Sequence, residues 1–588
     1  MPAEQPGTAA TRSIDDSQEP SGYECDLLVV GSGAGGLSAA IRAAHGGLKV
    51  LVVDRDDHIG GTTAISGGWL YVPGNKRGSD REGDSRERFT TYLRAIAGRY
   101  YNERSVEVFL DTVPEMMDFF ENETDVEFVY PQLAPDYQMR APGAMAAGRN
   151  AYASPINGRA LGADRMRLHP YKRELTVLGV MPQIGPDLEQ FLHANQSLSS
   201  FFYVTRRILR NWAERLVFRR GLDLSNGNAL IARMVLSARK LGVEIWTSSA
   251  AERLVRSDGA VVGAIVSRPH GEVKVHSSHG VVLACGGFTQ SPALRSTLMA
   301  HTPSGQAHYS PVNANHTGEN LRLAEPVGGY ISNEVLQPAA WAPVSVFRGA
   351  GGRERVFPHL RGVGLPGIIA VTSDGRRFTN EADSYHEFIS ALIDKEKGAA
   401  DVHAFLVCDS RTRHKYGLGF AKPWPLPKFP YLRDGYLIKG RSLAELAAKA
   451  GIDEAALIDT IDTFNEGARV GEDRLFGRGV DEFNRFKGDP LHTPNPSLAP
   501  LEQAPFYATR VQTGDLGAYA GLAIDPRARV LTREGEAIRG LFAVGTAALT
   551  VFGGTYPGPG ANIGPAMTLG YLVGRDVAEA STTTRSER

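Results

Sequence analysis

Residues 26–54 constrain the fold more than any other stretch of this chain. They read "DLLVVGSGAGGLSAAIRAAHGGLKVLVVD". The run at 26–30 is the short apolar kind expected of a strand buried on both faces of a parallel sheet. Gly31, Ser32, Gly33, Ala34, Gly35 and Gly36 come directly after it, then a helical pattern from Leu37 to about Ala44 and a second apolar run closing on Asp54. Gly31 suits the tight turn, Gly33 a close backbone approach to a pyrophosphate, and Gly36 the packing of helix on strand. The helix N-terminus then faces the phosphate charge, and Asp54, 23 residues after Gly31, is placed to accept ribose hydroxyls. This order predicts an α/β chain with a Rossmann-like nucleotide-binding domain.

The segment after Asp54 distinguishes FAD from NAD. Residues 55–75, "RDDHIGGTTAISGGWLYVPGN", form a second glycine-rich loop directly after the acid. Arg55, Gly61, Thr62, Thr63 and Ser66 offer more donors beside a pyrophosphate than an NAD site needs. Gly67 and Gly68 lead the backbone towards a flavin ring. With these residues in view, the chain resembles the flavoprotein family of fumarate reductases, succinate dehydrogenase flavoprotein subunits and 3-ketosteroid dehydrogenases. "GGTTAISGGWLYVPGN" is most similar to the ketosteroid branch. Three later stretches agree: the helix-then-strand pattern of 227–246, the strand-turn "GVVLACGGF", and "IRGLFAVGTAA", which places Gly545 where the family's last strand meets the flavin.

The nucleotide domain is thus expected to be discontinuous, from 23–297 and 515–588. An α+β substrate domain is inserted at 298–514, and residues 1–22 form a polar, disordered lead-in. At 588 residues the chain exceeds one core. Lys plus Arg (64) nearly cancel Asp plus Glu (65), so no net field recruits nucleic acid. Cys25, Cys285 and Cys408 lack metal or disulfide spacing, which implies no metal centre and fits a reducing, cytoplasmic setting. No apolar run is long enough to span a bilayer. Residues 198–220 interleave six arginines with large apolar residues. They suit a helix packed on the second domain with its arginines in solvent, or alternatively a peripheral membrane contact for a lipophilic substrate.

The reaction chemistry is expected in phenols on glycine-rich loops. Fumarate reductases carry an arginine in a "GANRLGG"-like stretch after the last strand and a pair of histidines earlier. Here those places read "GGTYPGPGAN" and "TRVQTGDLGAYAGLAID", without the cations that would clamp a dicarboxylate. In the ketosteroid branch the "TY-x-GPG" loop activates the ketone, which implies that the Tyr556 hydroxyl and the Gly560 N–H donate to its oxygen. The "NE-x-x-x-Y" segment implies Tyr385 as the proton acceptor. The "PDY…PG…GR" skeleton points to Tyr137, with Tyr130 and Tyr152 as alternatives. His386 is not expected to join Tyr385, because neighbours on an extended segment face opposite ways. Asn562 and Ile563 open a helix aimed at the flavin edge that gains negative charge. No histidine stands in the second glycine loop, so FAD is expected to be non-covalent.

The resemblance therefore implies an FAD-dependent dehydrogenase that introduces a C=C bond next to a ring ketone, foremost 3-ketosteroid 1,2-desaturation, with electrons leaving to a quinone-like acceptor. The alternatives are 3-ketosteroid 4-dehydrogenation, reduction of an enone or unsaturated acid, and a flavin carrier without catalysis.

Overall fold

The computed structural model describes residues 21–349 and 352–586; Ser21 and residues 583–586 are described by backbone alone. The lead-in at residues 1–20 lies outside the described residues. Residues 21 and 22 depart from that expectation, because they begin the strand Ser21–Cys25, which pairs in parallel with Gly271–Ser277.

The apolar run at 26–30 becomes the strand Leu27–Val30, buried throughout. It lies between Val50–Val53 and Val281–Leu283, parallel to both. Glu244–Trp246 and Ala537–Ala543 extend this parallel sheet on either side, and Arg529–Leu531 closes one edge antiparallel. The helix Ala34–His45 starts three residues earlier than its apolar pattern suggests, directly out of the glycine turn, and ten of its residues are buried. A Cβ on Gly36 would stand 2.0 Å from the Gly31 carbonyl oxygen, so glycine is required there for helix to lie on strand. The C-terminal helix Ile563–Ser586 packs along the same helix. The two ends of the chain thus form one nucleotide-binding layer.

A second sheet is antiparallel throughout. Its order is Glu354–Pro358, Ala339–Arg348, Phe506–Ala518, His403–Cys408 and Ile368–Val371, with Ile438–Gly440 beside the central strand. Phe506–Ala518 runs without a break through residue 514, where the sequence suggested a domain limit, and returns the chain to the first sheet. The helices Leu443–Ala450 and Glu454–Val470 cover part of its surface, separated at Gly451. A third unit, the strands Trp69–Tyr71, Phe128–Val129 and Asn150–Ala153 with the helix Glu103–Glu123, braces the space between the two sheets.

Candidate active site

One cavity of about 1540 Å³ runs from the first glycine turn to the tyrosines. At its nucleotide end it is lined by residues 31–35, Asp54, Arg55, Gly61, Thr62, Thr63, Ser66, Gly67 and Gly68. Gly545, Asn562 and Ile563 line it farther along. Gly36 stays behind the wall, as its packing role requires. Several of these hydroxyls shape the loop rather than point outward. Ser32 Oγ donates to Asp54 Oδ2 (2.5 Å) and accepts from Gly60 N, and Ser66 Oγ donates to the Thr63 carbonyl. Thr62 Oγ1 meets His316 Nε2 (3.2 Å) and accepts from Asn313 N. Burial raises the Asp54 carboxyl above its usual range, opposed by hydrogen bonds from Ser32 and the Asp56 N–H.

Two observations test whether FAD fits. A Cβ on Gly33 would meet nothing nearer than Thr63 Oγ1 at 3.8 Å, so the first helix opens on free space, as a pyrophosphate cradle must. His316 is buried, its Nδ1 has no hydrogen-bond partner among the described residues, and its ring lines the same space; burial lowers its pKa to about 4, leaving it neutral. The residues fit the cofactor. The segment around His316, "NANHTGEN", was not singled out in the sequence, although a polar run entering a helix after "GVVLACGGF" is its visible signal.

At the other end, four tyrosines from four distant segments converge. Tyr137 O–H donates to the Tyr385 oxygen at 3.1 Å. The Tyr556 ring stacks on Tyr137 at 5.3 Å and meets the edge of Tyr385 at 5.2 Å. Tyr519, which no sequence motif marks, lies 6.1 Å from Tyr556, and its buried hydroxyl has no hydrogen-bond partner among the described residues. Burial pushes Tyr556 up to about 12 and holds Tyr137, Tyr385 and Tyr519 well above the ordinary phenol value. Tyr137, Tyr385 and Tyr556 line the cavity together with Gly560. Of the alternatives to Tyr137, Tyr152 packs on Trp69 and Tyr130 bonds Glu121, so neither joins the phenol group. His386 does come near, its ring 5.9 Å from Tyr556. Tyr385 and His386 open the helix Tyr385–Lys395, capped by Ser384, where an extended segment was expected. His386 Nδ1 accepts the Trp341 N–H, so its ring proton sits on Nε2.

The loop carrying Tyr556 is fixed through its carbonyls. Pro557 O accepts from Tyr137 N and Tyr92 O–H, Pro559 O from Asn150 Nδ2, and Gly560 O from Tyr71 N. Gly560 has φ +95°, and a Cβ there would strike the Trp69 carbonyl at 2.5 Å. Its own N–H has no acceptor among the described residues. Beneath Tyr137, Asp136 takes bonds from Arg149 and Tyr71, and Arg149 also grips Asp84; Arg149 and both acids are buried.

The wall beyond the phenols is largely apolar. The helix Leu198–Phe218 contributes Phe201, Val204, Ile208, Leu209 and Trp212, and the Pro-rich loop contributes residues 423–426. Of the six arginines at 198–220, Arg206, Arg210, Arg215 and Arg219 are exposed; Arg207 pairs with Asp187, Arg210 with Glu214 and Asp223, and Arg215 and Arg220 bond backbone carbonyls. Leu198, Phe202 and Leu216 face outward. No helix among the described residues is long and apolar enough to cross a membrane.

Residues 26–563 match the family model described as "FAD binding domain". Over 96% of this chain and 95% of the relative, the sequence is 49% identical to a 4-oxocyclohex-2-ene-1-carboxylate 5-dehydrogenase of Sinomonas cyclohexanicum. It is 34% identical to a 3-oxosteroid 1-dehydrogenase of Mycobacterium tuberculosis, over 95% of this chain and 98% of that one. Among solved structures, it matches the 3-ketosteroid delta1-dehydrogenase of Sterolibacterium denitrificans in complex with 1,4-androstadiene-3,17-dione. The TM-score is 0.87 at 30% identity, covering 95% of this chain and all of the other.

Proposed function

The chain belongs to the FAD binding domain family and is an FAD-dependent dehydrogenase acting on a C–C bond next to a ketone; from that premise we propose that it desaturates a cyclic ketone, with Tyr385 taking the proton alpha to the carbonyl. Bound FAD supplies the two-electron acceptor for the hydride from the beta carbon. Tyr556 O–H and Gly560 N–H donate to the ketone oxygen and strengthen their hold as it gains negative charge. Burial and the neighbouring phenols hold Tyr385 well above the ordinary phenol value, and a buried phenol is a base only when its anion is stabilised locally; the Tyr137 hydroxyl, 3.1 Å away, is the donor placed to do this as Tyr385 gives up its proton. The apolar wall keeps water from the reacting carbons.

The observation that carries this reading is the gathering of Tyr137, Tyr385, Tyr556 and the unpaired Gly560 N–H on one wall of the cavity that begins at the nucleotide turn. The substrate scaffold we favour is a carboxylated cyclohexenone, like that in the name of the relative at 49% identity. A 3-ketosteroid is the second reading, supported by the apolar wall and the relatives at 34% and 30%; peripheral membrane contact through residues 198–220 belongs with it. A quinone-like acceptor, dissociable FAD and a cytoplasmic setting complete the proposal, the last supported by three free thiols. Anaerobic mixing of the purified flavoprotein with 4-oxocyclohex-2-ene-1-carboxylate or 4-androstene-3,17-dione tests it. Bleaching of the flavin by either supports the reaction class, and bleaching by neither overturns it. Turnover of enones only with a reduced dye would instead favour the reductase.

A further inference from the structure

Lys487, in the lining of the cavity, is a buried amine that pairs with no carboxylate among the described residues. It ends the helix Glu482–Lys487 and is 4% exposed. Its Nζ donates to two backbone carbonyls, Asp383 (2.5 Å) and Glu381 (3.3 Å), and to no carboxylate. The carboxylates at hand are committed elsewhere. Glu381 is shared by Arg377 and Arg478, and Asp383 Oδ1 holds the amides of Asn380 and Asn484. Burial lowers the amine to about 7, opposed by Asp383 and Glu381 and aided by Arg478. Arg361, which also faces this turn, bonds the Lys487 and Gly488 carbonyls and is neutralised by Glu189. A buried amine without an anion is costly unless something supplies one.

Its place relative to the phenols suits an anion on the substrate itself. Phe483, one turn earlier on the same helix, lies 4.8 Å from the Tyr137 ring and 5.9 Å from Lys487 Nζ. The amine and the tyrosine group thus flank one Phe483 side chain in the lining of the same cavity. We infer that Lys487 binds a carboxylate borne by the substrate away from its ketone, which makes it the group that selects a small oxo-acid over an uncharged polycyclic ketone. This rests on the ring-ketone reading above. A steroid in the same place would bury the amine against hydrocarbon. The two other lysines of the wall are less enclosed than Lys487: Lys422, on the Glu174 carbonyl and Phe357 ring, and Lys172, on the Pro311 carbonyl, are only half-buried.

The test uses the holoenzyme and two kinds of probe. Cyclohexanecarboxylate and its carboxamide have no ketone, so they report binding alone through the flavin absorption spectrum. 4-Oxocyclohex-2-ene-1-carboxylate and its methyl ester report turnover. The wild type should prefer acid over carboxamide and over ester, and Lys487→Met should lower both preferences at least tenfold, whereas Lys172→Met and Lys422→Met should keep them. Should Lys487→Met not fold, the unaltered enzyme still decides: cyclohexanecarboxylate affinity should fall as pH rises above about 7, with a proton taken up on binding below saturation. Equal preferences in the variant, or wild-type affinity flat from pH 6 to 9, would overturn the inference. Selective carboxylate binding lost in Lys487→Met, with no ketone bleaching the flavin, would leave the amine site standing and sink the ring-ketone reading instead.

Discussion

Replacing Tyr556 by phenylalanine removes one oxygen atom and little else. The ring is 4% exposed and held on four sides by Tyr137, Tyr385, Tyr519 and His386. Phenylalanine keeps those contacts, so the stability loss should stay near the ~1 kcal/mol of one buried hydrogen bond. The kinetic loss should be larger. The hydroxyl is one of two donors assigned to the ketone oxygen, and its fixed loop means that nothing must reorganise as charge develops. Removing one such preorganised donor costs about 10²–10³ in rate, or about 3–4 kcal/mol of transition-state stabilisation. Gly560 N–H remains, so the reaction should not vanish. Stopped-flow flavin reduction under anaerobic conditions, at saturating ring ketone, measures this step directly. The variant should bind FAD as the wild type does and be reduced about 10²–10³-fold more slowly, with little change in KM. Reduction within tenfold of wild type would refute the assignment of Tyr556 to the ketone.

Arg149→Met should destabilise the protein by about 3–5 kcal/mol, because it strands the buried carboxylates of Asp84 and Asp136; a denaturant melt measures it, and a loss under 1 kcal/mol would contradict the network. Glu387, half-buried and bonded by Gln138 Nε2 (2.9 Å), has its carboxyl raised from 4.5 to about 7, mainly by desolvation. The folded state then holds a proton the unfolded chain releases, so stability falls as pH climbs from about 4.5 to about 7, by at most about 3 kcal/mol. Glu387→Gln should therefore raise Tm at pH 8 and match wild type near pH 4, and parallel curves would exclude that cause. Acid precipitation should release the flavin as free FAD into the supernatant; yellow colour retained in the washed pellet would indicate a covalent bond.

The nucleotide half was legible because its constraints are local. A turn that admits only glycine, a buried strand on either side and an acid at a fixed distance all fall within 29 residues, 26 to 54. Tyr556 was legible for the same reason, since its loop must be rigid whatever surrounds it. Tyr385 and Tyr137 came through resemblance, and their 3.1 Å contact spans 248 residues, which no spacing rule reaches. Tyr519, which joins the phenol group, and Lys487, the proposed carboxylate partner, went unmarked because each is ordinary in its own segment. Tyr519 sits among alanines and glycines after a strand, and Lys487 ends a helix of mixed charge. Their meaning lies in what they lack, a hydroxyl partner and a counter-ion, and only packing reveals a lack. Only the premise of the His386 expectation was off locally: a helix, capped by the serine before it, starts at Tyr385 where an extended segment was expected.

The carbonyls that fix residues 557–560 take their bonds from residues 71, 92, 137 and 150, all within about the first quarter of the chain. The ribosome makes that quarter long before it makes the loop. The loop proposed to activate the ketone is therefore held by partners more than 400 positions away in the chain, and it takes its rigid shape only once both segments are in place.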